Sequence, residues 1–379
     1  MRQAGKVFKS SQLRKILVVV AVAAPVGGCG SAPSSTEGTG SSAAALTEDS
    51  EKHFNEPGNI LIADQFNNRV IEINRKGHII WHFGIGPNDV SAASIVGVND
   101  AERVGTLTLM AGTGVPPGLE PKCKDGCADN RVILVDEDGR IVWQYGQFGV
   151  TGSGDNELNT PVQATYLPNK HVFITDQVNE RIIDVSIATR KITWQYGMTG
   201  VTGAGFNQLN NPNAAELLEN GHVLISDENN NRAIEVDRAN KIVATFTAGG
   251  TLNGVAFASR LENGDTLITD SNNNRIVEVD KKDKIVWTYV TNTDPKSNPM
   301  MPLPTRAVRL ANGDTLISDQ FNHRVIEVNH AGQIVATYGN INAPGFGTTG
   351  TSSGLNAPYD AKVIDDFTGL TPPQGHDFD

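Results

Sequence analysis

The sequence predicts an all-β chain folded as a six-bladed β-propeller of four-stranded antiparallel blades. Three observations carry that prediction. A phrase recurs six times at a period of roughly fifty residues, each copy breaks into short alternating runs, and the C-terminal segment supplies a piece that the first copy lacks. Self-similarity at a fixed period of this size signals a solenoid, a propeller or another array.

The first copy reads "NILIADQFNNRVIEINRKGHIIWHFG", and a degenerate one follows, "TLTLMAG…CADNRVILVDEDGRIVWQYG". Next come "HVFITDQVNERIIDVSIATRKITWQYG" and "HVLISDENNNRAIEVDRANKIVATF". The last two are "DTLITDSNNNRIVEVDKKDKIVWTY" and "DTLISDQFNHRVIEVNHAGQIVATYG". Arg69, Arg131, Arg181, Arg232, Arg275 and Arg324 mark the copies. Runs such as "TLISD", "RVIEV" and "QIVATYG" are short, β-branched and alternating, which describes half-buried strands. A preceding run, as in Leu158 to Asn169 or Leu209 to Asn220, supplies the fourth strand of a blade. Helical periodicity is absent from the mature chain, which excludes helical arrays.

The first copy starts at "GNILIAD" with no inner strand before it. "LNAPYDAKVIDD", Leu355 to Asp366, has the inner-strand pattern and no blade after it. This segment is therefore expected to complete the blade begun by residues 59–84, closing the ring without an exposed edge. The expected organisation is a signal segment at 1–28, a Ser/Gly/Ala-rich tether at 29–55, the propeller at 56–366 and a tail at 367–379.

Arg2, Lys6, Lys9, Arg14 and Lys15 precede the apolar run Ile16 to Val26, then Gly27, Gly28 and Cys29. A basic head, a short apolar stretch and small residues describe a secretory signal. "VGGC" followed by a soft Ser/Gly/Ala stretch resembles a bacterial lipoprotein lipobox. That resemblance implies a diacylated Cys29 as the mature N-terminus and a membrane-anchored location in the cell envelope. Removal of residues 1–28 leaves 26 basic residues against 42 acidic ones, a net charge of −16. Such a balance argues against nucleic acid, whose affinity rests on Lys and Arg at phosphates, and against bare electrostatic attachment to anionic lipid.

Cys123 and Cys127, in "PKCKDGC", are read as a disulfide across a tight loop, because exported chains oxidise nearby thiols. They belong to the second copy, where Gly112 takes the place of the turn aspartate and about fifteen residues intervene before Asn130 and Arg131. Long departures from a regular scaffold often carry function, and this one is expected to project over the face that bears the turns.

Five copies keep an Asp/Arg pair: Asp64/Arg69, Asp176/Arg181, Asp227/Arg232, Asp270/Arg275 and Asp319/Arg324. Each aspartate ends one strand and each arginine begins the next, so the two can pair across the turn. The asparagines between them tolerate positive φ. A residue pattern present in every blade is assigned a structural role. "DENNNR" and "DSNNNR" begin like EF-hand loops but place Arg where the sharp turn needs Gly, and Asp270 has Lys281 at the twelfth position. A calcium site on the axis would need carboxylates from several inner strands, for which the scattered candidates are Glu216 and Asp360. No metal and no cofactor is expected. Gly-x-Ser-x-Gly elbows in a strand–turn–helix context are absent.

His323 is the sole catalytic candidate, standing where other copies carry Asn or Glu180. A histidine at a propeller mouth can serve as base or nucleophile. His82, in "WHFG" where two siblings read "WQYG", is a strand-end substitution.

The phrase D-x-x-N-x-R-(V/I), followed by a short strand and "W/T-x-Y-G", resembles the NHL-repeat propellers, and "NHRV" at Asn322 to Val325 is especially similar. The Gly-rich stretches "GQFGVTGSGDNELNTP" and "GMTGVTGAGFNQLNNP" resemble that family's inter-blade connectors. The resemblance covers residues 56–366 and implies a propeller fold. Its members include enzymes and binding scaffolds, so function has to come from a site. "NGDTLISD" also resembles strands of exported arylsulfotransferases, which use a histidine to carry the sulfuryl group. "DEDGRIVW" and "KKDKIVW" resemble the tryptophan-bearing repeats of quinoprotein propellers, whose greater length this chain lacks. The expected function is a ligand- or protein-binding scaffold of the cell envelope. The alternative is an exported enzyme, arylsulfotransferase-like or lactonase/lyase-like, with His323 near the chemistry.

Overall fold

The computed structural model describes residues 53–119, 122–298, 302–346 and 354–366. The expected signal, the lipidation site Cys29, nearly all of the tether and the tail lie outside the described residues. Among the described residues no helix is long and apolar enough to cross a membrane.

Six four-stranded antiparallel sheets form the ring. β1 (Ile60–Asp64), β2 (Arg69–Ile73) and β3 (Ile79–Phe83) begin blade 1. Blade 2 is β4 (Val98–Val104), β5 (Leu107–Val115), β6 (Cys127–Val135) and β7 (Ile141–Gly146). Blade 3 is β8 (Pro161–Leu167), β9 (His171–Asp176), β10 (Arg181–Ser186) and β11 (Ile192–Tyr196). Blade 4 comprises β12 (Pro212–Leu217), β13 (Val223–Asp227), β14 (Arg232–Val236) and β15 (Ile242–Phe246). Blade 5 comprises β16 (Val255–Arg260), β17 (Thr266–Asp270), β18 (Arg275–Val279) and β19 (Ile285–Val290). Blade 6 has β20 (Arg306–Arg309), β21 (Thr315–Asp319), β22 (Arg324–Val328) and β23 (Ile334–Gly339). The ring closes as expected: β24 (Pro358–Val363) pairs antiparallel with β1 and becomes the inner strand of blade 1.

Alternation explains how the blades stack. The second strands of blades 1, 4 and 6, "ILIAD", "VLISD" and "TLISD", are buried on both faces, because they lie between neighbouring sheets. The outermost strands alternate, so Val142, Val243, Val286 and Val335 face solvent while Tyr145, Phe246, Tyr289 and Tyr338 are buried. Apolar clusters consequently form between blades. Leu109, Val132 and Trp143 of blade 2 pack with Ala164, Val172 and Ile183 of blade 3, and Ile62 and Ile71 of blade 1 pack with Leu316 and Val325 of blade 6. The glycine that ends "WHFG", "WQYG" and "ATYG" is dictated by close approach. Gly84, Gly146, Gly197 and Gly339 hold φ between +83° and +96°, and a Cβ on each would collide with the carbonyl of Asn68, Asn130, Glu180 or His323.

The turn between a blade's second and third strands lies on the same face as the connectors that lead to the next blade. Phe66 N–H donates to Asn356 O at 3.1 Å, and Asn229 N–H to Asn210 O at 3.0 Å. We call this the connector face. The strands flanking the insertion of blade 2 run to nine residues each. Their hairpin is closed by the Cys123–Cys127 disulfide, with Cα atoms 5.2 Å apart.

Candidate functional site

The repeated turn is built around its aspartate. In five blades the arginine donates Nε–H to the aspartate Oδ2: Arg69 to Asp64, Arg181 to Asp176, Arg232 to Asp227, Arg275 to Asp270 and Arg324 to Asp319, at 2.6–2.8 Å. The intervening Asn67, Asn179, Asn230, Asn273 or Asn322 donates Nδ2–H to the same oxygen at 2.8 Å. In four of these blades Oδ1 accepts a connector N–H, from Asn356, Asn159, Asn210 or Asn253, at 2.7–2.8 Å. Blade 6 differs. Phe321 N–H donates to Pro302 O, which puts a proline where the others have asparagine. Proline has no N–H to give, so Asp319 Oδ1 is buried without a partner among the described residues. Burial raises the Asp319 carboxyl to about 6 despite Arg324 beside it.

Blade 2 reaches the same arrangement by another route, which the sequence did not reveal. Arg131 donates Nε–H to Asp129 Oδ1 at 2.5 Å, and Asp129 Oδ2 accepts the connector N–H of Val96 at 2.7 Å. A Cβ on Gly112, at the position of the missing aspartate, would lie 2.6 Å from Asp129 Cγ. The carboxylate has moved to the opposite strand and fills the space that the glycine leaves.

His323 sits in the left-handed region, φ +54°, as do Asn68, Asn130, Glu180, Asn231 and Asn274. Each of the six reaches the next connector and accepts a backbone N–H: Gly97 on Asn68, Thr160 on Asn130, Asn211 on Glu180, Gly254 on Asn231, Leu303 on Asn274 and Ala357 on His323. His323 does so through Nδ1 at 3.1 Å. Burial lowers its pKa to about 4, which keeps that lone pair free of a proton. His82 likewise matches its siblings: its Nδ1 lies 3.0 Å from Gly84 O, where Gln144 and Gln195 bond Gly146 O and Gly197 O.

Two further rings tie blade to blade. The chain's four tryptophans each donate Nε1–H to the outer turn of the following blade: Trp81 to Glu137 O, Trp143 to Ile187 O, Trp194 to Arg238 O and Trp287 to His330 O, at 2.8–3.2 Å. The acidic residue of each third strand pairs with an arginine of the next blade: Glu72 with Arg103, Asp184 with Arg238, Glu235 with Arg260, Glu278 with Arg309 and Glu327 with Arg75. Blade 2 carries Leu134 at this position and makes an apolar contact instead.

At the axis, side chains of one inner strand accept the unpaired edge N–H groups of the next. Asp360 accepts from Ala101, Asp100 from Ala164, Glu102 from Tyr166, Gln163 from Ala215 and Glu216 from Arg260, at 2.6–3.3 Å. Arg306 reaches across to Asp100 at 2.6 Å and Asp360 at 2.8 Å, with its guanidinium 4.0 Å from the Phe257 ring centroid. Lys362 Nζ meets Asp360 at 2.6 Å and Asp100 at 2.9 Å. Burial raises Glu102 to about 8 and Glu216 to about 7, so at neutral pH Glu102 is mainly protonated. Glu216 and Asp360, the scattered axial candidates, are thus engaged with backbone N–H groups, and Asp100, Glu102, Arg306 and Lys362 join them. Among the described residues no group of three His, Cys, Asp or Glu is arranged to hold a metal ion.

Bulky apolar side chains stand exposed on the connector face, among charged ones such as Asp155 and Lys296. Ile85, Phe206 and Phe346 are 74%, 73% and 72% exposed, and Val150, Val178 and Val201 are exposed beside them. Phe66 and Phe321, on the turns of blades 1 and 6, lie 6.4 Å apart between ring centroids. Underneath, Gln320 donates to Gln65 and Gln65 to Asn99, while Asn213 bonds both Glu228 and Tyr359.

Among solved structures, the chain is similar to a protein of unknown function from Bacteroides caccae, at 13% identity, 81% coverage of this chain, 98% of the other and a TM-score of 0.54. Virginiamycin B lyase from Staphylococcus aureus matches at 14% identity, 76% and 85% coverage and a TM-score of 0.46. The WD40 propeller domain of Doa1 matches at 12%, 76% and 84%, also with 0.46. At such identities the likeness concerns the fold alone. No curated protein matches the chain. A sequence profile described as outer membrane protein assembly factor BamB matches residues 53–289, more than half of the chain, and the chain belongs to that family.

Proposed function

We propose that this protein is a cell-envelope propeller with NHL-type turns that binds another protein through its connector face. It is exported, cleaved before Cys29 and held to the membrane by lipid on that cysteine. One observation carries the reading. The ionisable side chains that converge at the axis and in the turns are engaged with backbone N–H groups and with one another, while bulky apolar side chains stand exposed on the connector face. Catalysis needs a group free to reach a substrate, and His323 spends its Nδ1 lone pair on Ala357. Recognition of a protein needs exposed apolar anchors. The family's description as an assembly factor supports a protein-binding role.

Co-purification from detergent-solubilised envelopes tests this. A protein retained stoichiometrically by the wild type, and lost with Ile85→Asn/Phe206→Asn/Phe346→Asn, is the expected result. A partner retained equally by both contradicts it, as does turnover of sulfate esters or lactones that disappears in His323→Asn.

A further inference from the structure

The two ends of the propeller meet where β24 pairs with β1, from Ile60 opposite Val363 to Asp64 opposite Pro358. At the axis the same strand reaches blade 2. Lys362 of β24 places Nζ 2.9 Å from Oδ1 of Asp100 on β4, a contact between residues 262 positions apart. Nζ also donates to Asp360 Oδ2 at 2.6 Å and to Ala101 O at 2.8 Å. Glu102 follows Asp100 by two positions, so both lie on one face of β4. Its Oε2 accepts the Tyr166 N–H at 3.3 Å, and its Oε1 is buried without a partner among the described residues. Lys362, Asp100, Asp360 and Glu102 are all buried.

These are the parts of an amide-forming centre: an amine, a carboxyl in contact with it, and a second carboxyl able to carry protons. In water an amine and a carboxylate stay a salt. Held in contact, they gain the effective concentration of an intramolecular reaction, about 10⁵–10⁸ M, and a closed site resists hydrolysis of the product. Burial also singles out one aspartate. It raises the Asp100 carboxyl although Lys362 lies beside it. Burial pushes Asp360 the same way, but Arg306 and Lys362 outweigh it and leave that carboxyl below the usual range. Asp100 is therefore the carboxyl that takes up a proton, while Asp360 remains the counter-ion of Arg306, 2.8 Å away. Burial works against the Lys362 ammonium, but Asp100 and Asp360 outweigh it, so the proton it sheds passes to a carboxyl already in contact. Glu102, raised by burial to about 8, holds a proton to exchange and is near enough for Lys362 and Asp100 to act on its charge.

Independently of the binding role above, we propose that Lys362 Nζ and Asp100 Cγ condense to an isopeptide bond that joins blade 1 to blade 2. Nζ adds to Cγ, the N–C bond forms, the Cγ–Oδ2 bond breaks, and Oδ2 leaves as water. An ammonium and a carboxylate contain the atoms of one amide and one water, so nothing is oxidised or reduced. Glu102 takes a proton from Nζ and returns one to the departing oxygen, ending as it began. Arg306, whose guanidinium donates to Asp100 Oδ1 at 2.6 Å, steadies the charge that develops on that oxygen. The N–H left on the amide keeps Asp360 as its acceptor. The product replaces a buried ion pair by a neutral group, which removes the cost of holding two charges away from water. β24 is then tied covalently to β4, and unpairing from β1 no longer opens the ring.

Mass spectrometry of the protein from its producing cells, denatured, reduced and digested, tests this on the wild type alone. The expected result is one joined species containing the peptides of Asp100 and Lys362, lighter than their sum by one water. On a denaturing, reducing gel the intact wild type should run ahead of Lys362→Arg, whose two peptides should appear separately. In a pulse–chase, Glu102→Gln should form the joined species at least about tenfold more slowly. Separate peptides of full mass from the folded wild type overturn the proposal, whether or not any variant folds. A water loss confined to the peptide that holds both Asp360 and Lys362 also overturns it, since that bond would lie within β24. An unchanged rate in Glu102→Gln overturns the proton transfer assigned to Glu102.

Discussion

Nδ1 of His323 accepts the N–H of Ala357 at 3.1 Å, and this bond crosses the seam at which the ring closes. Blade 6 ends at β23 and blade 1 begins with β24, so the histidine performs at the seam what Asn68, Asn130, Asn231 and Asn274 perform elsewhere. His323→Asn should therefore stay within about 1 kcal/mol of the wild type. His323→Leu, which leaves a buried N–H unpaired, should cost about 1–3 kcal/mol. The pH dependence separates the two roles of the ring. Because its pKa falls from 6.5 to about 4 on folding, the unfolded chain binds the extra proton between those values. This contribution is complete above pH 6.5 and is lost as pH falls towards 4, by at most about 3 kcal/mol. Chemical denaturation from pH 4 to 7 should show a shallower acid loss in His323→Asn than in the wild type.

The exchange between Gly112 and Asp129 gives a second prediction. Asp129→Ala strands the buried Arg131 guanidinium and should cost about 3–5 kcal/mol. Gly112→Asp alone should also destabilise, since its side chain meets the Asp129 carboxyl and Ile95. Together, Gly112→Asp/Asp129→Ala restores the arrangement of the other blades. The double variant should be more stable than either single one, by a thermodynamic cycle on urea melts; strict additivity would refute the exchange.

Glu102 acts in the opposite pH direction from His323. Its carboxyl is raised from 4.5 to about 8 by burial, so the folded state favours the protonated form. The resulting stability is full below pH 4.5 and is lost as pH rises through 8. Glu102→Gln keeps an acceptor for the Tyr166 N–H and has no proton to lose. Its melting temperature should decline less between pH 6 and 9 than that of the wild type, in which Glu102 adds to the loss from Glu216.

Removing the disulfide should loosen the hairpin without opening the ring. Cys123→Ser/Cys127→Ser frees a short loop, for which the chain-entropy estimate is about 2 kcal/mol at most. Limited proteolysis should cut the hairpin of this variant while the rest of the propeller resists; unchanged resistance of the hairpin would argue against its dependence on the bond.

The ring could be read from the sequence because most letters of the repeat correspond to one bond each. Asp and Arg pair although they are only five positions apart, Trp reaches the next outer turn, and Gly sits where a Cβ would strike a carbonyl. Closure was legible for the same reason, since "LNAPYDAKV" keeps the inner-strand wording. Residues whose partners are remote in sequence were not. Asp129 was hidden because the insertion moved the carboxylate to the other strand of the hairpin. Asp100 and Arg306 are 206 residues apart and meet across the axis, a juxtaposition that no local pattern announces. The signal available was charge of both signs within inner strands, in "NDAER", "TRAVR" and "YDAKV". His323 looked exceptional because its chemistry differs from asparagine, yet its geometry is that of the other blades.

The central claim is that recognition belongs to the apolar side chains of the connector face while the polar letters hold the ring. A photo-crosslinking scan in producing cells tests it most directly, with benzoylphenylalanine placed in turn at Ile85, Phe206 and Phe346, and at Val142, Val243 and Val335 on the outer strands. A discrete protein adduct from the first three positions and none from the last three is the predicted result. Adducts confined to the outer strands, or equal yields from both sets, would contradict the account.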